Sequence, residues 1–228
     1  AIFYTGNFVF DSSMLGPYKT DIGKLAYIGK QGVLCLLSES MYADRKGFTA
    51  PSNRIGSIVN EVLDQTGRII ISVFPNQFYK IQELFNGIMH TDRNVVIIGK
   101  RLQDIIINSI NLGYMKFDIN RIKTISHVND DNIVVLVADE REKPFSNFLR
   151  IVRGYDKFIK ISKKDTVVFM SPVFPGMEKS SAKLLDGIAR TGSNLIDISG
   201  KYASHHASSE DLMMMINLLN PKYYMPVN

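Results

Sequence analysis

The feature that most limits what this chain can fold into is a succession of short, β-branched apolar runs with amphipathic helical patterns between them. The runs lie at residues 33–37, 68–74, 95–98, 133–137, 166–171 and 195–198. They read as continuous apolar stretches rather than as regular alternation with polar residues. A strand of that kind has both faces buried, which is the condition of a parallel sheet covered by helices. The helical patterns occupy 54–65, 77–89, 102–112, 145–153 and 179–191, and Gly67, Gly113, Gly154 and Gly192 stand just past most of them as stops. Strand–helix alternation predicts an α/β fold: a parallel sheet with helices on both faces and right-handed crossovers. In such sheets ligands lie beyond the carboxyl ends of the strands. The loops there are 38–40, 75–77, 99–101, 138–144 and 171–178, whereas 118–132 reads as a loop-rich connection. The chain opens on the strand-like Ile2-Phe3-Tyr4-Thr5 and closes on the strand-like 222–227, and is therefore expected to be part of something larger.

Composition narrows the classes of function. In a chain of 228 residues, 45% hydrophobic content is enough for a core and excludes global disorder. The single cysteine, Cys35, rules out a disulfide framework, favours a reducing compartment and is expected in the core. No apolar run approaches the length of a membrane span and the first residues have no signal-peptide layout, so no membrane partner is expected. Lys and Arg number 27 against 22 Asp and Glu, a net charge of +5 that is compatible with nucleic acid but dispersed along the chain. There is no GxGxxG after a strand, no GxxxxGK[ST], no CxxC and no HExxH, which removes support for dinucleotide binding, P-loop hydrolysis and the common zinc motifs.

Two segments carry candidate chemistry. Residues 202–208, Tyr-Ala-Ser-His-His-Ala-Ser, lead into a helical pattern at 211–219. A helix start exposes unpaired N–H groups that can hold an anion, and a histidine there can bind or protonate a phosphate oxygen. The competing reading makes Ser208 or Ser209 an N-cap and leaves His205 and His206 in solvent. Glu39 lies between two serines just past the run 33–37, at a strand carboxyl end, where it either orients a histidine or caps a turn. Paired with His206, it would form a proton-donating couple for a leaving oxygen. His90 and His127 lie in polar contexts and are expected at the surface.

The segments Tyr4-Thr5-Gly6-Asn7-Phe8-Val9-Phe10-Asp11, Gly32-Val33-Leu34-Cys35-Leu36-Leu37-Ser38-Glu39-Ser40, Ser204-His205-His206-Ala207 and Pro221-Lys222-Tyr223-Tyr224-Met225-Pro226-Val227-Asn228 resemble, in this order, bacterial ribonuclease J. Gly99-Lys100, Asp165-Thr166-Val167 and Pro175-Gly176-Met177-Glu178 fit the same order. That family is the β-CASP branch of the metallo-β-lactamase fold. The resemblance implies a parallel-sheet β-CASP domain at 41–199, flanked at 1–40 and 200–228 by strands of a metallo-β-lactamase αββα domain. It implies RNA maturation and decay in the cytoplasm, by endonucleolytic cuts and 5′-to-3′ exonucleolysis, with two metal ions, usually zinc, activating water. Glu39 and His206 match the family's acid and histidine that stabilise and protonate the scissile phosphate. Ser204, His205, Ser208, Lys100, Arg101 and Lys143, with Arg150, are the candidate RNA and phosphate contacts.

Several positions depart from the family pattern. Asn7 stands where the family has a metal-bridging aspartate, and Asn228 where it has a metal-binding histidine. A neutral carboxamide is a poor substitute for either at zinc. Tyr202 replaces the first histidine of a His-x-Ser-Gly-His segment and His205 its glycine. Residues 140–144 replace a Ser-Gln-Gly-Glu-Pro phosphate loop, and 75–77 an Ala-Ser-Asn loop. The family's His-x-His-x-Asp-His motif is not in this chain. The pattern is similar to the family's second, catalytically impaired paralogue, which accompanies a more active one. The resemblance therefore implies no dependable metal ligand here, no bound zinc and negligible hydrolysis by this segment alone. The implied partners are RNA and an active ribonuclease J paralogue or a second copy. The competing functions are a non-catalytic interaction or dimerisation module and a metal-dependent hydrolase of a small molecule. The order of the motifs argues against the last.

Overall fold

The computed structural model describes residues 1–11, 19–49, 55–75, 77–138, 145–171, 173, 176–199 and 206–227. The described elements begin with β1 (Ile2–Tyr4), α1 (Ile22–Lys30), β2 (Cys35–Ser38), α2 (Gly56–Leu63), β3 (Ile69–Val73), α3 (Phe78–Met89), β4 (Asn94–Ile98) and α4 (Lys100–Asn111). They continue with β5 (Ile122–Lys123), β6 (Ile133–Ala138), α5 (Ser146–Val152), β7 (Thr166–Phe169), α6 (Glu178–Thr191), β8 (Asn194–Asp197), α7 (Ser209–Leu219) and β9 (Tyr223–Pro226). Contacts divide the chain into two units, Ala1–Asn53 with Ser204–Asn228, and Arg54–Ala203.

In the first unit β2 is the centre of a parallel three-stranded sheet, β1-β2-β9. Leu36 and Val33 point to a core shared with Met215 and Leu219 of α7 and with Leu25 and Ile28 of α1. Helix α1 was not anticipated, although Asp21 marks its start by accepting the Lys24 N–H at 2.9 Å. It lies hard against α7: a Cβ on Gly29 would stand 2.1 Å from the Leu218 carbonyl oxygen. Gly29→Ala is therefore expected to cost about 1–3 kcal/mol through helix displacement, read as a lowered urea midpoint at unchanged slope.

The opposite face of this sheet carries Ile2, Tyr223 and Met225, each more than half exposed. Cys35 pairs with Ile2 and Tyr223 in register and shares their face. It is consequently half-buried, not a core residue. Burial on both faces, expected for 33–37, does not apply to β2, because among the described residues helices cover only one side of this sheet.

The second unit meets that expectation. Its six strands are all parallel, in the order β5-β4-β6-β3-β7-β8. Ile69, Ile71 and Val73 of β3 enter one core with α2, α3 and α4, while Ile70 enters the other with α5 and α6. Continuous apolarity in β3 is thus two alternating faces, each with its own helices. Within 118–132, two 3-10 turns (Ile119–Arg121, Ile125–His127) bracket β5, which adds to β4 at the sheet edge. A two-residue strand is too short to leave a periodic signal.

The helices after neighbouring strands diverge. α3 follows β3 to one face and α6 follows β7 to the other; α4 and α5 diverge in the same way after β4 and β6. Chain paths that part at the carboxyl ends of adjacent strands leave crevices there, where parallel sheets bind ligands. No helix among the described residues is long and apolar enough to cross a membrane.

Candidate functional site

Glu39 follows β2 directly, and His206 lies just before α7. The fold of the first unit brings them together: His206 Nδ1 and Glu39 Oε2 are 2.5 Å apart, and both side chains are buried. The other carboxylate oxygen, Oε1, accepts the backbone N–H of Phe8 at 2.8 Å and of Ala207 at 3.1 Å. Glu39 is thus fixed by two peptide donors and in turn fixes one imidazole nitrogen. The other nitrogen, Nε2, is the ring atom through which His206 can act on anything else.

The mount around His206 is built from polar side chains of the same unit. Asp211, fully buried in the first turn of α7, accepts from Phe10 N–H at 3.0 Å, Thr49 N–H at 2.9 Å and Ser208 N–H at 3.1 Å. Its bond to Ser208 is the reciprocal half of a capping box. Thr49 Oγ1 donates to the His206 carbonyl at 2.8 Å. Tyr42 sets its ring edge-on to the imidazole at 5.3 Å between centroids. The Arg45 guanidinium lies 3.4 Å from the Tyr42 ring centroid. Residues 42–49 belong with the first unit because Tyr42 bridges to Ser208, and Arg45 and Gly47 carbonyls accept from Ser209 and Glu210.

The remaining sequence candidates fall in different places. Ser208 is the N-cap, and its hydroxyl is 2.8 Å from Thr49 Oγ1, so its polar atoms serve the start of the helix. Ser204, His205, Lys143, Tyr202 and Asn228 lie outside the described residues, as do 140–144. Asn7 is exposed in the bend after β1, one residue before the Phe8 amide that holds Glu39. His90 and His127 are at the surface. Lys100 and Arg101 are exposed at the start of α4, in the second unit. There they line a cleft of ≈ 730 Å³ with Asn108, Asn147 and Arg150, at the crevice between β4 and β6. Arg150 also pairs with Asp156 at 2.9 Å.

Sequence reasoning missed Tyr42, Thr49 and Asp211. Only the last had left a signal, the Ser208-x-x-Asp211 spacing of a capping box. Removing Glu39 strips three donors of their acceptor at once. Glu39→Ala is expected to lower stability by about 2 kcal/mol and to free the ring, seen by nitrogen NMR as loss of a single His206 tautomer. An unchanged tautomer would show that Glu39 does not orient the histidine.

Comparison with known families adds what geometry alone does not. The family model described as Ribonuclease J, beta-CASP domain matches residues 66–188. The chain belongs to the ribonuclease J family. It is 33% identical over 233 residues to Ribonuclease J2 of Bacillus subtilis (strain 168), covering 100% of this chain and 42% of that protein. It is 30% identical over 235 residues to Ribonuclease J 2 of Staphylococcus saprophyticus, covering 100% of the chain and 42% of the relative. With Ribonuclease J 1 of Streptococcus pyogenes serotype M3 it shares 28% over 233 residues, 100% of the chain and 41% of the relative. The chain therefore spans about two fifths of the length of these ribonuclease J relatives.

The metallo-β-lactamase ancestry of ribonuclease J raises the question of a metal. Among the described residues no three of His, Cys, Asp or Glu converge as a metal-binding group. Both Glu39 oxygens are engaged with protein donors, and Asn7 offers a neutral amide oxygen. This donor set does not fit a zinc centre by itself.

Proposed function

We propose that this ribonuclease J family chain serves RNA processing and decay in the cytoplasm. It holds RNA and assembles with an active ribonuclease J paralogue or a second copy, and has little hydrolytic activity of its own. The observation that carries this reading is the Glu39–His206 couple, kept in working geometry next to a loop whose family metal ligand is the carboxamide Asn7. Asn228 extends the same substitution at a second ligand position.

The couple retains one half of a phosphodiester-cleaving site. Glu39 holds Nδ1 and compensates charge on the ring, so His206 is presented to give a proton from Nε2 to a leaving oxygen. No group among the described residues makes a strong nucleophile at neutral pH, which supports negligible cleavage by this segment. Lys100, Arg101 and Arg150, around the cleft at the β4–β6 crevice, are suited to backbone phosphates, whose binding releases counterions.

The test uses the full-length protein that carries this chain. Its RNA affinity is expected to fall linearly on a log–log plot against salt, and Lys100→Ala with Arg101→Ala to reduce the slope by about 2. Gel filtration with an active paralogue is expected to give a joint peak. Salt-independent RNA binding, or tight stoichiometric uptake of two zinc ions together with RNA cleavage, would overturn the reading.

A further inference from the structure

A cation of the first unit stands beside the Glu39–His206 couple and has no part in holding it. Arg45 is exposed, and among the described residues its guanidinium makes no hydrogen bond and no ion pair. It lies instead over the ring of Tyr42, 3.4 Å from the centroid. Tyr42 in turn meets the His206 imidazole edge-on, with 5.3 Å between centroids. A single aromatic ring therefore separates the guanidinium from the imidazole.

The backbone fixes Arg45 as well. Its N–H donates to the Tyr42 carbonyl at 3.0 Å, closing a turn, and its carbonyl accepts the Ser209 N–H at 2.9 Å. The same contacts change what the start of α7 can do. The N–H groups of Ser208, Ser209 and Glu210 go to Asp211 Oδ2, the Arg45 carbonyl and the Gly47 carbonyl. The helix start, expected from the sequence to hold an anion, has these donors spent on protein acceptors. The donors left free beside His206 are those on the edge of the Arg45 guanidinium. An exposed arginine ordinarily loses rotamer freedom when it grips a ligand. Stacking on Tyr42 restricts the side chain beforehand and leaves the N–H edge open.

We propose that Arg45, stacked on Tyr42, grips a backbone phosphate of an RNA strand lying against His206. The planar fork of a guanidinium meets two phosphate oxygens at once, which a lysine ammonium does not. Arg45 binds and takes no part in moving the proton at His206 Nε2. A contact of this kind fixes the position of the strand and carries no information about base sequence. The inference rests on the proposed RNA-holding role of the chain and deepens it. It names a contact in the first unit, apart from Lys100 and Arg101 of the second.

Titration of the full-length protein with two single-stranded oligoribonucleotides of different sequence, over a series of salt concentrations, tests it. Arg45→Gln is expected to weaken both by about tenfold at low salt and to reduce the log–log salt slope by about 1. Arg45→Lys keeps the charge but not the stacked fork, so it is expected to restore the slope while binding severalfold more weakly than the parent. Tyr42→Leu is expected to weaken binding in the parent and to add little in the Arg45→Gln background, because the ring acts through the arginine. The urea midpoint of Arg45→Gln is expected to stay near that of the parent, since the side chain holds no hydrogen bond. Affinity and slope unaltered by Arg45→Gln, while Lys100→Ala with Arg101→Ala still lowers the slope, would overturn this contact and leave the RNA reading standing. Arg45→Lys equal to the parent, or additive losses from Tyr42→Leu and Arg45→Gln, would overturn the stacked fork. Binding by the parent that ignores salt would overturn the contact and the RNA reading together.

Discussion

Arg68→Met is expected to destabilise the Arg54–Ala203 unit by about 3–5 kcal/mol, the largest effect of any single replacement considered for this chain. Arg68 lies just ahead of β3 and is buried. Its guanidinium meets Asp165, just before the adjacent β7, in a two-pronged pair at 3.0 and 2.8 Å. It also donates to the carbonyl of Val128 at 2.9 Å, to Asn129 Oδ1 at 2.8 Å and to the Lys160 carbonyl at 2.6 Å. One side chain thereby ties together the segments that enter β6, β3 and β7 at their amino ends. Methionine fills the volume but leaves the Asp165 carboxylate buried without its cation, and that uncompensated charge is the main cost. Asp165→Asn alone is expected to cost less, because an amide can still accept from Arg68. A double-mutant cycle in urea separates the pair term, and a loss below about 1 kcal/mol for Arg68→Met would mean that the network is not desolvated.

Lys80→Met is expected to act in the opposite direction, raising stability by about 3 kcal/mol at pH 7. Burial lowers the lysine from its ordinary 10.5 to about 8. Between those values the unfolded chain binds a proton that the folded chain does not, so the stability of the unaltered protein rises with pH across that interval. Below about pH 8 both states are protonated and the folded one bears the whole cost of a desolvated ammonium. The gap between variant and parent is therefore full at neutral pH and closes as pH rises past 10.5. Denaturation curves that run parallel from pH 7 to pH 11 would show that the ammonium is solvated or paired.

Much of the framework was legible. The runs at 68–74, 95–98, 133–137, 166–171 and 195–198 correspond to β3, β4, β6, β7 and β8, and the terminal strand-like segments to β1 and β9. Apolar continuity is a local property, and burial on both faces leaves it in the sequence directly. Cys35 shows the limit. Its run looked the same as the others, yet β2 has helices on one side only, and local hydropathy does not record which face a neighbour covers. The candidate site was legible in part, through Glu39 and His206. Tyr42 and Thr49 gave no such sign.

The sequence by itself determined that this chain is an α/β protein of parallel strands and that it belongs to the ribonuclease J family. Residue period, glycine stops and motif order are all carried by neighbours along the chain. Only the tertiary structure decided which polar groups meet. Glu39 and His206 are 167 residues apart, and the Ser171 N–H meets Ser72 Oγ because β7 lies beside β3 although three strands separate them in sequence order. Strand order arises from crossovers that pack helices on one face or the other, and no local pattern of side chains encodes it.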